Sequence, residues 1–183
     1  MAKKLPKYLR EDEVRKLLNA PPRKKTRDRL ILQILYHCGL RVSELTSLKI
    51  EDIDFTEGMI TVREGKGKKD RVVPVDSRTL DMIEFYKAGA EEGHLILSER
   101  GKPLSTRQVE RLVKKYAKKA DLNKNVYPHM LRHSFAVHCL KAGMNLRSVQ
   151  KMLGHSSLTT TQIYLDLTGE DIKRDYESHP LPA

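Results

Sequence analysis

The chain has 183 residues, a length that suits one compact domain with its own hydrophobic core. Lys and Arg total 35 against 24 Asp and Glu, and the net charge of +11 favours a polyanionic partner, nucleic acid before an anionic membrane surface. The sequence shows no signal peptide and no apolar run of the roughly 18 residues that span a bilayer, which argues against a membrane protein and predicts a cytoplasmic one. It has no CxxC pair, which argues against a zinc site or a disulfide framework.

Seven helices are expected in chain order. Apolar residues at helical spacing predict the first two, over residues 11–19 and 27–38, and Gly39 is a natural end for the second. Arg41 follows at the start of a short helical stretch over 42–48. Further helices are predicted over 78–87, 107–120, 128–141 and 146–153, with Ser77, Thr106 and Asn145 as candidate N-caps.

Two β-type runs interrupt the helices, over residues 59–63 and 71–75. The segment between them contains two glycines and several charged residues, among them Lys66, which predicts an antiparallel hairpin with a basic tip. The predicted fold class is therefore mainly α with a small antiparallel β-sheet, an α+β fold.

Several short motifs follow one another in a fixed order. They are Gly39-Leu40-Arg41-Val42-Ser43-Glu44-Leu45, Gly65-Lys66-Gly67, His129-Met130-Leu131-Arg132 and Gly154-His155, with Tyr164 nine residues further on. In order and spacing this set resembles the tyrosine recombinases, the phage-integrase and Xer family. The stretch Arg71-Val72-Val73-Pro74 after the hairpin is most similar to the Xer branch, including its archaeal members.

The resemblance implies the tyrosine recombinase catalytic-domain fold and site-specific DNA recombination, with roles in DNA integration and chromosome segregation. Strands would be cleaved and rejoined through a 3′-phosphotyrosine intermediate, without a metal ion or cofactor. Tyr164 would be the nucleophile, and Arg41 and Arg132 the clamp on the scissile phosphate. His129 would orient the phosphate or transfer a proton, and His155 would donate a hydrogen bond to the phosphate.

The hairpin lysine would protonate the leaving 5′ oxygen. The resemblance assigns this general acid to Lys66, although Lys68 and Lys69 stand close enough to leave the choice among the three open.

Residue chemistry supports these roles independently. Attack at a phosphodiester builds negative charge on the non-bridging oxygens, and guanidinium groups match such charge with paired donors. His129 and Arg132 stand three residues apart, on one face at the N-terminal end of their predicted helix. Taken alone, Arg41 would be an ordinary helix-end cation and the His129–Arg132 pair a surface hydrogen bond; their combination with Tyr164 favours catalysis.

Three alternatives compete with this interpretation. The acidic cluster at residues 51–54 could bind magnesium in a nuclease, although consecutive acids after a helix more often form a solvated turn, and Glu44 is better explained as a partner of Arg41. Residues 145–164 resemble a helix-turn-helix, which would suit a non-catalytic DNA-binding protein. The same tyrosyl chemistry without strand exchange would give a type IB topoisomerase-like activity.

The domain expected over residues 1–183 comprises a catalytic core at 10–167 and a tail at 168–183 that could pass to a neighbouring protomer. The N-terminal DNA-clamp domain usual in the family is not expected within this sequence. The expected partners are double-stranded DNA and further copies of the chain, as a tetramer on DNA and largely a monomer when free.

Overall fold

The computed structural model describes residues 7–63 and 70–154. This part of the chain is mostly helical with one small antiparallel sheet, which confirms the predicted fold class. Its elements, in order, are α1 Glu11–Asn19, α2 Thr26–His37, α3 Val42–Ser47, a 3-10 helix Ile50–Asp52, β1 Ile53–Asp54, β2 Met59–Val62, β3 Arg71–Pro74, α4 Ser77–Lys87, α5 Thr106–Lys119, α6 Pro128–Lys141 and α7 Leu146–Leu153. None of these helices is long and apolar enough to cross a membrane.

The sheet has the strand order β1-β2-β3, with each neighbouring pair antiparallel. Strands β2 and β3 form the predicted hairpin, with Thr61 opposite Val72. Strand β1 was not predicted, because two residues are too few to show alternation. The acidic segment before it is not simply a solvated turn: Asp52 is buried, and its Oδ1 accepts a 2.5 Å hydrogen bond from Arg63 Nε.

Helix α2 lies at the centre of the main core, where it packs against α1, α4 and α6. Its residues Leu30, Ile31, Ile34 and Leu35 are fully removed from solvent. A second, smaller cluster joins the last two helices through Phe135, Ala136 and Val137 of α6 and Val149 and Leu153 of α7. The C-terminal end of α7 is thereby fixed against α6, which carries the His129–Arg132 pair.

Two predicted N-caps are wrong by one residue. Ser77 and Thr106 are the first residues of α4 and α5, and the caps are Asp76 and Ser105. Asp76 Oδ1 accepts from the Thr79 backbone N–H at 3.0 Å, whereas Asn145 caps α7 as predicted. In each wrong case the preceding residue was itself a good cap and adopts the extended backbone that capping requires.

Candidate active site

A sharp turn of the chain between α2 and α3 positions Arg41. Gly39 has φ +59°, in the left-handed region, and a Cβ at this position would lie 2.5 Å from Phe135 Cδ1. Only glycine fits there without displacing the Phe135 ring. This turn places Arg41 at the N-cap of α3, and Gly39, which follows α2, packs against Phe135 of α6.

Arg132 is buried, with a relative exposure of 1%. Its Nη1 donates to the Gly39 carbonyl at 2.6 Å, and its Nη2 donates to the Leu153 carbonyl. The guanidinium therefore ties α6 to the chain reversal after α2 and to the end of α7. Burial of a charged group is tolerated because it is hydrogen-bonded in this way.

A single carboxylate connects Arg132 to two further arginines. Glu44 Oε1 accepts from Arg41 Nη1 at 2.7 Å and from Arg71 Nη1 at 3.0 Å, while Oε2 accepts from Arg71 Nη2 at 2.8 Å. Arg132 Nη1 lies 3.8 Å from Oε2. The predicted pairing of Glu44 with Arg41 is confirmed, and Arg71 is a partner that the sequence did not reveal.

Glu44 stays ionised at neutral pH. Burial acts to raise the pKa of its carboxyl, but hydrogen bonds from Arg71 and from Arg41 outweigh it and lower the pKa to about 2. The carboxylate thus offsets part of the positive charge of the three guanidinium groups and holds them close to one another. We refer to Arg41, Glu44, Arg71 and Arg132 as the arginine cluster.

The last turn of α7 meets the same three arginines. The carbonyls of Met152, Leu153 and Gly154 accept from Arg71, Arg132 and Arg41 respectively, the last over 3.5 Å. Carbonyls at a helix C-terminus have no partner within their helix and carry partial negative charge, so cations stabilise them. These residues immediately precede His155 in the sequence.

His129 lies in the first turn of α6, next to Arg132. Its ring stands edge-on to that of His133, with centroids 4.4 Å apart. Partial burial lowers the pKa of His129, and the positive charges of Arg132 and Arg41 lower it further. The imidazole is therefore neutral near pH 7, with one nitrogen able to donate a hydrogen bond and the other able to accept one.

Exposure distinguishes the members of the arginine cluster. The Arg41 side chain is 35% exposed, whereas those of Arg71 and Arg132 are 8% and 2% exposed. Arg41 therefore presents its charge to solvent beside His129, in a setting suited to an anion such as a phosphate. Within residues 7–63 and 70–154, no three His, Cys, Asp or Glu side chains converge to hold a metal ion.

The structure thus brings together three of the predicted site residues, Arg41, His129 and Arg132. Lys66, His155 and Tyr164 lie outside the described residues, so their roles stay predictions.

This fold is that of a tyrosine recombinase catalytic domain, as the solved structures show. A crystal structure of XerA recombinase matches 98% of the chain, and 67% of its own, with a TM-score of 0.85 and 36% identity. A pre-cleavage complex of XerH site-specific recombinase with difH substrate matches 99% of this chain and 56% of its own, with a TM-score of 0.80 and 27% identity.

The chain belongs to the phage integrase family, whose sequence profile matches residues 7–170. Tyrosine recombinase XerA from Pyrococcus furiosus is 47% identical over 180 residues, covering 96% of this chain and 62% of that protein. Tyrosine recombinase XerC from Thermodesulfovibrio yellowstonii is 43% identical over 192 residues, covering 97% and 64%. The chain therefore spans somewhat less than two thirds of these relatives, and they favour neither the topoisomerase nor the helix-turn-helix alternative.

Proposed function

We propose that this chain is the catalytic part of a site-specific recombinase that cleaves and rejoins DNA strands through a 3′-phosphotyrosine intermediate. The observation that carries this proposal is the arginine cluster, in which Arg41 and Arg132 share one ionised carboxylate beside a neutral histidine. Such a site can bind a scissile phosphate and stabilise the charge that grows on it during displacement.

In the proposed reaction the Tyr164 oxygen attacks the phosphorus, and the bond to the 5′ oxygen breaks. The phenol loses its proton to a base, and the 5′ oxygen gains one from Lys66. Rejoining reverses these steps: a 5′ hydroxyl attacks the phosphotyrosine and releases Tyr164. Arg41 and Arg132 meet the charge of both transition states, His155 donates to the phosphate, and neutral His129 can orient it or accept a proton.

The test of the nucleophile is covalent capture. A nicked duplex that the wild-type protein cleaves, selected from random-sequence duplexes, should yield a protein–DNA adduct that survives denaturation. Tyr164→Phe should abolish the adduct while changing DNA affinity little, because the hydroxyl acts mainly in the transition state. Tyr86→Phe, in α4, is the matched control and should form the adduct at the wild-type rate. Adduct formation by Tyr164→Phe would rule out this nucleophile.

The leaving-group step can be tested separately from the nucleophile. Lys66→Ala should slow cleavage strongly, and a substrate with a 5′-sulfur leaving group, which needs no protonation, should restore much of the rate. Lys68→Ala and Lys69→Ala are the matched controls from the same segment. If the 5′-sulfur substrate rescues one of the control variants and not Lys66→Ala, the lysine replaced in that control variant is the general acid.

Metal independence follows from the same assignment. The two arginines and His155 supply the charge stabilisation that a divalent ion supplies in many nucleases, so EDTA should leave adduct formation unchanged. Loss of cleavage in EDTA and its recovery with magnesium would favour the nuclease alternative.

The proposed partner is double-stranded DNA, and the proposed assembly is a tetramer on DNA formed from free monomers in the cytoplasm, with a role in chromosome segregation. The +11 charge supports the DNA partner, as do the XerH relatives, whose structures contain DNA substrates. Deleting residues 168–183 should weaken cooperative assembly on a two-site duplex more than binding to one site. Equal loss in a gel-shift titration would contradict a protomer-linking role for this tail.

A further inference from the structure

Arg71, at the start of β3, joins three elements through one guanidinium. Its Nη1 and Nη2 donate to the two carboxylate oxygens of Glu44 in α3 at 3.0 and 2.8 Å. Its Nε donates to the Met152 carbonyl in the last turn of α7 at 2.8 Å. None of the catalytic roles implied by the family resemblance falls on this residue.

We propose that Arg71 is a positioning residue that fixes Glu44 and thereby sets the Arg41 guanidinium for binding the scissile phosphate; this inference rests on the proposed function. Glu44 Oε1 accepts from both Arg41 and Arg71, so the direction of Arg41 depends on where Arg71 holds that oxygen. A planar, two-pronged donor fixes both oxygens of a carboxylate, which a lysine ammonium cannot do.

The hydrogen bonds of Arg71 suit a positioning role, because its Nε, Nη1 and Nη2 all donate to protein groups. The Arg71 side chain is 8% exposed, and its guanidinium donates to the Glu44 carboxylate and the Met152 carbonyl. The contact with Met152 also anchors the turn whose next two carbonyls accept from Arg132 and Arg41. Arg71 thus donates hydrogen bonds to the Glu44 carboxylate and to the end of α7, and both of these also accept from the Arg41 side chain.

A change of charge at the scissile phosphate tests this role. A methylphosphonate linkage replaces one non-bridging oxygen with a methyl group and so removes the negative charge that the clamp neutralises. Arg71→Lys should lower the rate of adduct formation on the ordinary phosphodiester about 100-fold, the cost of a small misplacement of a catalytic group. On the methylphosphonate the loss should fall below about 10-fold, because the clamp contributes less.

The ratio of the two rates is measured on one protein sample, so any unfolded fraction cancels. Arg63→Lys is the matched control: Arg63 follows β2 in the same hairpin and also pairs with a carboxylate, that of Asp52, but does not contact Glu44. Its rate ratio should equal that of the wild type. Arg71→Gln, which keeps donors without the charge, should behave as Arg71→Lys does.

Three results would overturn the inference. Equal losses on both substrates would show a structural role alone. Recovery of Arg71→Lys on the 5′-sulfur substrate would place Arg71 on the leaving-group step. A double variant Arg71→Lys with Glu44→Gln that is slower by the product of the two separate losses would show that Arg71 acts independently of Glu44. Absence of an adduct with the wild-type protein would instead refute the proposed function, and the inference with it.

Discussion

Replacing Glu44 with Gln should destabilise the fold by an amount that depends on pH. The substitution keeps the size of the side chain but leaves Arg41, Arg71 and Arg132 without their shared counter-charge. The carboxyl pKa falls from 4.5 to about 2 on folding, which corresponds to about 3 kcal/mol at neutral pH. Solvent screening of the partly exposed Arg41 reduces this to about 2 to 3 kcal/mol.

The sign of the pH dependence follows from the direction of the shift. Because the folded-state pKa of Glu44 lies below 4.5, its stabilisation is complete above that pH and is lost as the pH falls toward about 2. Urea unfolding of wild type and Glu44→Gln should therefore differ most at pH 7, and the difference should shrink by about 1 kcal/mol at pH 3.5.

The control for this measurement is Glu110→Gln, which removes an exposed carboxylate from α5 and should change stability by less than about 0.5 kcal/mol. The reasoning is refuted if Glu44→Gln matches the wild type at pH 7, or if the difference between them stays constant on acidification.

Three other perturbations probe the scaffold and its charge. Gly39→Ala should lower the free energy of unfolding in urea by about 2 to 3 kcal/mol, because the new methyl group meets Phe135 and φ is +59°. Gly89→Ala is the control: it has open space and φ +86°, so it should show only the cost of the backbone conformation. Equal losses in the two variants would contradict the clash with Phe135. Tyr116→Phe removes the 2.6 Å hydrogen bond to buried Asp28 and should lower stability by about 1 to 3 kcal/mol in thermal unfolding, whereas an unchanged midpoint would show that the bond adds nothing. If the protein contacts about six phosphates, the logarithm of its association constant for DNA should fall against the logarithm of salt concentration with a slope of about −5. An association constant that does not change with salt would argue against a surface that binds the phosphate backbone.

The sequence predicted the helices and the hairpin because their signals are local. The β2–β3 hairpin showed two short β-type runs, and α7 showed both an apolar stripe and Asn145 as its cap. The closeness of Arg41 to Arg132 has no local signal, since 91 positions separate them in the sequence. The resemblance to a known family supplied that link, and the shared Glu44 carboxylate provides its physical basis.

The role of Arg71 could not be predicted, for a different reason. In the sequence it is one of 35 basic residues, at the start of a strand where a charged residue is normally solvated. Its burial arises because α7 packs beside β3 and brings the Met152 carbonyl within 2.8 Å of Arg71 Nε. Strand β1 was not predicted because it is only two residues long, too short to show an alternating pattern.

The burial of Arg132 also bears on how this domain can change over evolutionary time. A gene copy that lost its nucleophile but still had to fold would remain under selection at Arg132, because this side chain joins the Gly39 and Leu153 carbonyls inside the core. Glu44 would be retained with it, as the nearby counter-charge. Among decayed copies, an intact arginine cluster therefore signals a preserved fold, and the residue at position 164 is the more informative guide to whether strand cleavage survives.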